Sequence, residues 1–191
     1  MAFLAQLWLP IILSAVFVFI VSSIIHMVLP IHKGDCRKIR NEDAVIAALR
    51  SNGVEPGEYM FPRADSMKDM CSPEMMEKVK RGPSGWLIVS PAGGFNIGKS
   101  LLHWFIYCLI VGVLSAYVGW YSLGAGAKYL AVFRITGTAA MLAYAVGGIP
   151  NSIWKGQSWS TTMKFVFDGV VYALVTAGTF GWLWPHVVGT P

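Results

Sequence analysis

Four ionisable side chains stand inside long apolar stretches of this 191-residue chain, namely His26, His103, Arg134 and Asp168. A charge in the hydrocarbon of a bilayer costs free energy unless it finds a partner or reaches the interface, so chemistry is sought first among these residues. At a rise of about 1.5 Å per residue, His26 lies about 5 Å inside the end of its stretch, and His103 and Asp168 lie about 6 Å beyond the flanking Lys99 and Lys164. Three different stretches thus bring His, His and Asp to one depth. Two imidazoles and a carboxylate suit a transition metal, two imidazoles alone suit axial haem ligation, and the same set could relay protons. His26 and His103 are therefore candidate cofactor ligands, and His26, His103 and Asp168 candidate metal ligands, with the identity of any cofactor open. The plainer explanation is that groups within a turn of the interface snorkel outward, with Asp168 balanced by Lys164 one turn earlier.

Arg134 is a separate case. It lies about 9 Å from the opposite end of its stretch, which in a hydrocarbon layer about 30 Å thick leaves about 15 Å to Asp168 along the membrane normal. A direct pair is not expected. Arg134 instead snorkels toward lipid phosphates, with a substrate or lipid contact as the sharper alternative. In the polar part of the chain, Met67, Met70, Cys71, Met75 and Met76 gather soft sulfur ligands of the kind that select copper(I). No M-x-M or C-x-x-C repeat fixes a chelate there, and methionine is also an adaptable filler of apolar faces.

The stretch Gly93-x4-Gly98-Lys99-Ser100 matches the phosphate loop. Such a loop needs a parallel sheet behind it and a second acidic strand end for magnesium. Here an uncharged run of more than twenty residues follows, a membrane-span pattern, so the match is read as chance and a nucleotide is not expected. Neither G-x-S-x-G nor H-E-x-x-H occurs, and the balance tilts against an enzyme.

The elements that must position these residues are apolar. The chain is 55% hydrophobic and only 13% charged, with mean hydropathy +0.55, whereas charged residues make up about a quarter of soluble domains. It reads as an all-α integral membrane protein with four transmembrane helices, over residues 7–29, 101–123, 129–149 and 165–184. Residues 1–29 hold the first span, 30–99 one long polar loop, and 100–191 a three-span bundle with short, antiparallel connections. Trp8, Trp104, Trp120, Trp154, Trp159, Trp182 and Trp184 fall near span ends, as an interfacial belt requires. Gly112 with Ala116, Ser115 with Gly119, Ala143 with Gly147 and Ala177 with Gly181 have the spacing that lets helices approach closely. Cys36, Cys71 and Cys108 are expected to be free thiols.

Lys33, Arg37, Lys38, Arg40, Lys99, Lys155 and Lys164 flank one side of the spans, against Lys128 and Arg134 on the other. By the positive-inside rule, loop 30–99 is cytoplasmic and both termini are outside, in a plasma or inner membrane. Within the loop, Asn41 can cap a helix from Glu42 to Arg50, and Ser72-Pro73-Glu74 opens a second that ends at Gly82-Pro83. Residues 59–61 and 86–89 are extended candidates that could pair. A segment this small buries little core alone, so it should lie against the bilayer or a membrane-protein partner. No nucleic-acid surface is evident. The first expectation is thus an accessory, assembly or interaction subunit acting through loop 30–99. The alternative is a metal, haem or proton-handling protein using the His26, His103 and Asp168 layer.

Overall fold

The structure, a computed structural model, describes residues 2–94 and 96–186. Four of its helices are long and apolar enough to cross a membrane, spanning Ala2–Val28, Ile97–Leu123, Tyr129–Trp154 and Trp159–Trp182. We label α1 Ala2–Ser23, α2 Glu42–Ser51, α3 Met67–Met70, α4 Pro73–Arg81, α5 Ile97–Leu123, α6 Tyr129–Met141, α7 Ile149–Trp154 and α8 Trp159–Trp182. The two strands are β1 Gly57–Phe61 and β2 Gly85–Val89.

Each long helix packs chiefly on two others, in the ring α1, α5, α6, α8. Small residues set how closely they approach. A Cβ on Gly119 would meet Thr136 and Trp184, one on Gly137 would meet Ala177, and one on Gly181 would meet the Tyr129 ring. At the end of the bundle where the chain terminus enters, Leu7, Ile11, Ala116, Val132, Phe180 and Trp184 form a buried cluster. At the loop end Ala15, Val18, Ile25, Cys108 and Tyr172 form another. The tryptophans divide between these layers and the surface. Trp8, Trp154, Trp159 and Trp182 are exposed, but Trp184 is buried and donates from Nε1 to the Gly124 carbonyl at 2.9 Å. Trp104 likewise turns inward and donates to Ser22 Oγ at 2.8 Å. These two are bundle residues rather than belt residues, because each indole N–H finds an internal acceptor.

Two spans change pitch at their loop-side ends. The first passes from α1 into a π-helical turn over Ile24–Val28, closed by the Leu29 amide on the Ile24 carbonyl at 3.1 Å. Pro30 has no amide with which to continue it, and Pro30–His32 folds into a 3-10 turn. The third span has a π-helical turn over Leu142–Val146 between α6 and α7. Such turns displace side chains from regular helical spacing, and they recur at functional sites.

In the polar segment, β1 pairs antiparallel with β2 in a two-stranded sheet. Ser72 Oγ caps α4 by accepting from the Met75 amide at 3.2 Å, whereas Asn41 precedes α2 without a side-chain cap. The hairpin reaches the bundle through Lys155, whose Nζ lies 3.6 Å from Glu58 and 5.6 Å from the centre of the Trp86 ring. The phosphate-loop match begins after β2, whose partner is antiparallel, and ends in the first turn of α5, where Asn96 Oδ1 accepts from the Lys99 amide at 3.0 Å. A helix N-cap accounts for the local pattern.

Candidate metal centre

The loop-side π turn presents His26, the 3-10 turn after Pro30 presents His32, and α8 presents Asp168. One ligand atom from each lies within 4.8 Å of the others. The two imidazoles are stacked, with ring centres 4.4 Å apart and planes 4° apart. His26 Nε2 is 3.9 Å and His32 Nε2 2.8 Å from Asp168 Oδ2. Donors around a tetrahedral or octahedral ion, held at about 2.1 Å, sit about 3.0 to 3.4 Å apart, so these separations bracket a coordination shell.

The other nitrogens are occupied. His26 Nδ1 lies 3.1 Å from the Ser22 carbonyl oxygen, and His32 Nδ1 lies 2.6 Å from Asp35 Oδ2. A neutral imidazole that donates Nδ1–H to such an oxygen carries its lone pair on Nε2, so both partners select the tautomer that can ligate through Nε2. Asp35 is itself held by Lys164 Nζ at 2.5 Å, from α8. The Lys164 ammonium, and then the His32 imidazole, hold the Asp35 carboxyl below its ordinary value of 3.8. A lowered carboxylate stabilises the fold above its unfolded value, so this link is made above about pH 4 and lost only as pH falls through the lowered value.

Asp168 is 1% exposed. Neither of its oxygens has a hydrogen-bond partner among the described residues, and neither does His32 Nε2. The 2.8 Å approach of His32 Nε2 to Asp168 is of hydrogen-bond length but not of hydrogen-bond direction. A buried carboxylate without a hydrogen-bond partner, with two imidazole nitrogens close by, is left uncompensated, and a cation among these groups would compensate it. The ligands fit a divalent transition metal, with two imidazoles and a carboxylate leaving further positions open.

His26 and Asp168, but not His32, line a cavity of about 730 Å³. Its lining includes Ser23, Leu101, Trp104, Tyr107, Tyr144 and Tyr172. Gly169, next to Asp168, brings α8 against the second π turn. A Cβ there would lie 2.5 Å from Ala145 Cα and from the Tyr144 carbonyl oxygen.

The residues singled out from sequence are distributed as follows. His26 and Asp168 come together, but His103 does not join them. It is exposed on α5 and outside the group of three, because one residue is about 100° of helix rotation and Trp104 takes the inward position. Lys164 pairs with Asp35 and not with Asp168. Arg134 is exposed on α6. Met67, Met70, Met76 and Cys71 are exposed, and Met75 is half-buried. His32, Asp35 and Tyr172 were not anticipated. The available signal was the spacing of His26 and His32 across Pro30, since a proline-induced turn can fold the second imidazole back under the first. Comparisons with protein-family models, curated proteins and solved structures find no match to the chain.

Proposed function

We propose that this is a multi-pass membrane protein that holds one divalent transition-metal ion at its loop-side end. His26 Nε2, His32 Nε2 and a carboxylate oxygen of Asp168 are the ligands. The observation that carries this reading is the buried Asp168 carboxylate, without a hydrogen-bond partner among the described residues, facing two imidazoles. Iron(II) and zinc are the ions that two histidines and one carboxylate with open positions suit best. The basic flanks support an orientation with this end, and loop 30–99, at the cytoplasmic face of a plasma or inner membrane.

The test is metal content after loading with zinc and exhaustive dialysis in detergent. The expected result is one equivalent per chain in the wild type and in His103→Ala, and less than a tenth of that in His32→Ala and Asp168→Asn. Equal retention by wild type and His32→Ala would sink the assignment.

A second reading keeps loop 30–99 as an interaction surface for a membrane-protein partner. It is favoured by the exposed Met67, Met70, Met76 and Val79 on α3 and α4, beside the basic end of α4 at Lys78, Lys80 and Arg81. The two readings are compatible, because α3 and α4 lie outside the three-ligand group, to which the loop contributes His32.

A further inference from the structure

Resting on the metal reading, we propose that the cavity beside the site takes a membrane-soluble carboxylate. Its headgroup would bind the metal, and its apolar chain would run along an aromatic wall toward the lipid. Charge selects the headgroup. A divalent ion held by one carboxylate and two neutral imidazoles keeps one net positive charge, while Asp35 and Lys164 cancel each other. Apart from Asp168, no acid, lysine or arginine lines the cavity among the described residues. A monoanionic oxygen donor is therefore the ligand that neutralises the site.

Tyr172 adds a specific contact. It stands one helical turn beyond Asp168, lines the cavity, is 4% exposed, and its hydroxyl has no partner among the described residues. Such a buried donor costs free energy until it is satisfied, and the second oxygen of a metal-bound carboxylate would accept from it.

The wall supplies the direction. Tyr172 packs edge-on to Tyr144 at 5.7 Å between ring centres, Tyr144 edge-on to Tyr107 at 5.7 Å, and Tyr107 stacks on Trp104 at 5.6 Å. Along this series the rings pass from buried Tyr172 through half-buried Tyr144 to exposed Tyr107. Leu101 and Ile97 at the start of α5 continue the lining toward the surface. A volume of about 730 Å³ is of the size that encloses a small-molecule ligand.

Cobalt(II) in place of the native ion makes the test optical. The Co²⁺-loaded protein, in non-ionic maltoside micelles, is titrated with dodecanoate, acetate and dodecan-1-ol while the visible bands are followed. Dodecanoate is expected to shift the bands saturably, at a concentration at least tenfold below that of acetate, and dodecan-1-ol to leave them unchanged. Tyr172→Phe and the mouth-filling Leu101→Trp are each expected to weaken the dodecanoate response at least tenfold, with the starting Co²⁺ bands retained. Dodecanoate acting no better than acetate, leaving the bands unmoved, or acting equally on both variants overturns the proposal while the metal site stands. Failure of Co²⁺ to bind at all overturns both.

Discussion

The Nε2 lone pairs of His26 and His32 are set by residues that would not touch the metal. Asp35 orients His32, Lys164 holds Asp35, and the Ser22 carbonyl orients His26. Partners of this kind are worth about 10- to 100-fold in metal affinity when removed. Lys164→Ala is therefore expected to weaken zinc binding by about that factor, measured by competition against a chromophoric chelator, with the helical circular dichroism unchanged. An affinity equal to wild type would show that the Asp35 link does not organise the site. Of this arrangement the sequence disclosed the residue types and two of the three grouped side chains. Depth along a helix follows from residue counting, which sets His26 and Asp168 at one level. Rotation about the axis and chain reversal do not follow from counting, so His103 was grouped with them and His32 was left in the loop.

At the scale of elements, the centre depends on two π turns and one glycine. The turn at Ile24–Val28 positions His26, and Gly169 lets α8 touch the turn at Leu142–Val146. Gly169→Ala would press a methyl into backbone, which does not yield as a flexible side chain does. Overpacking of this kind costs about 1 to 3 kcal/mol and would displace Asp168. The expected outcome is a lower midpoint of thermal inactivation and at least tenfold weaker zinc binding. Gly178→Ala is the control, since its nearest contact is the Tyr129 hydroxyl at 3.9 Å, and it should change neither. The long helices were legible because twenty or more apolar residues admit few other structures. The hairpin was legible through its Pro and Gly boundaries, with β1 and β2 each slightly longer than the extended stretches read from sequence. The π turns were not, because they arise where side-chain packing and Pro30 compete with regular spacing.

For the whole molecule, the ring α1, α5, α6, α8 places the candidate centre and the long polar segment at the same end. The side of the membrane they occupy has its own probes, since Cys36 and Cys71 are exposed and Cys108 is buried. A membrane-impermeant maleimide should label none of the three in intact cells, and Cys36 and Cys71 after permeabilisation. Labelling of Cys36 or Cys71 in intact cells would invert the orientation and move the metal centre to the outer face. The claim on which the rest depends, that His26, His32 and Asp168 form one metal site, is tested most directly by X-ray absorption on the zinc-loaded protein. The expected first shell holds two imidazole nitrogens at about 2.0 to 2.1 Å with oxygen at about 2.0 to 2.2 Å, unchanged in His103→Ala and falling to at most one imidazole in the residual zinc that His32→Ala retains. A shell dominated by sulfur, or one that keeps both imidazoles in His32→Ala, would contradict it.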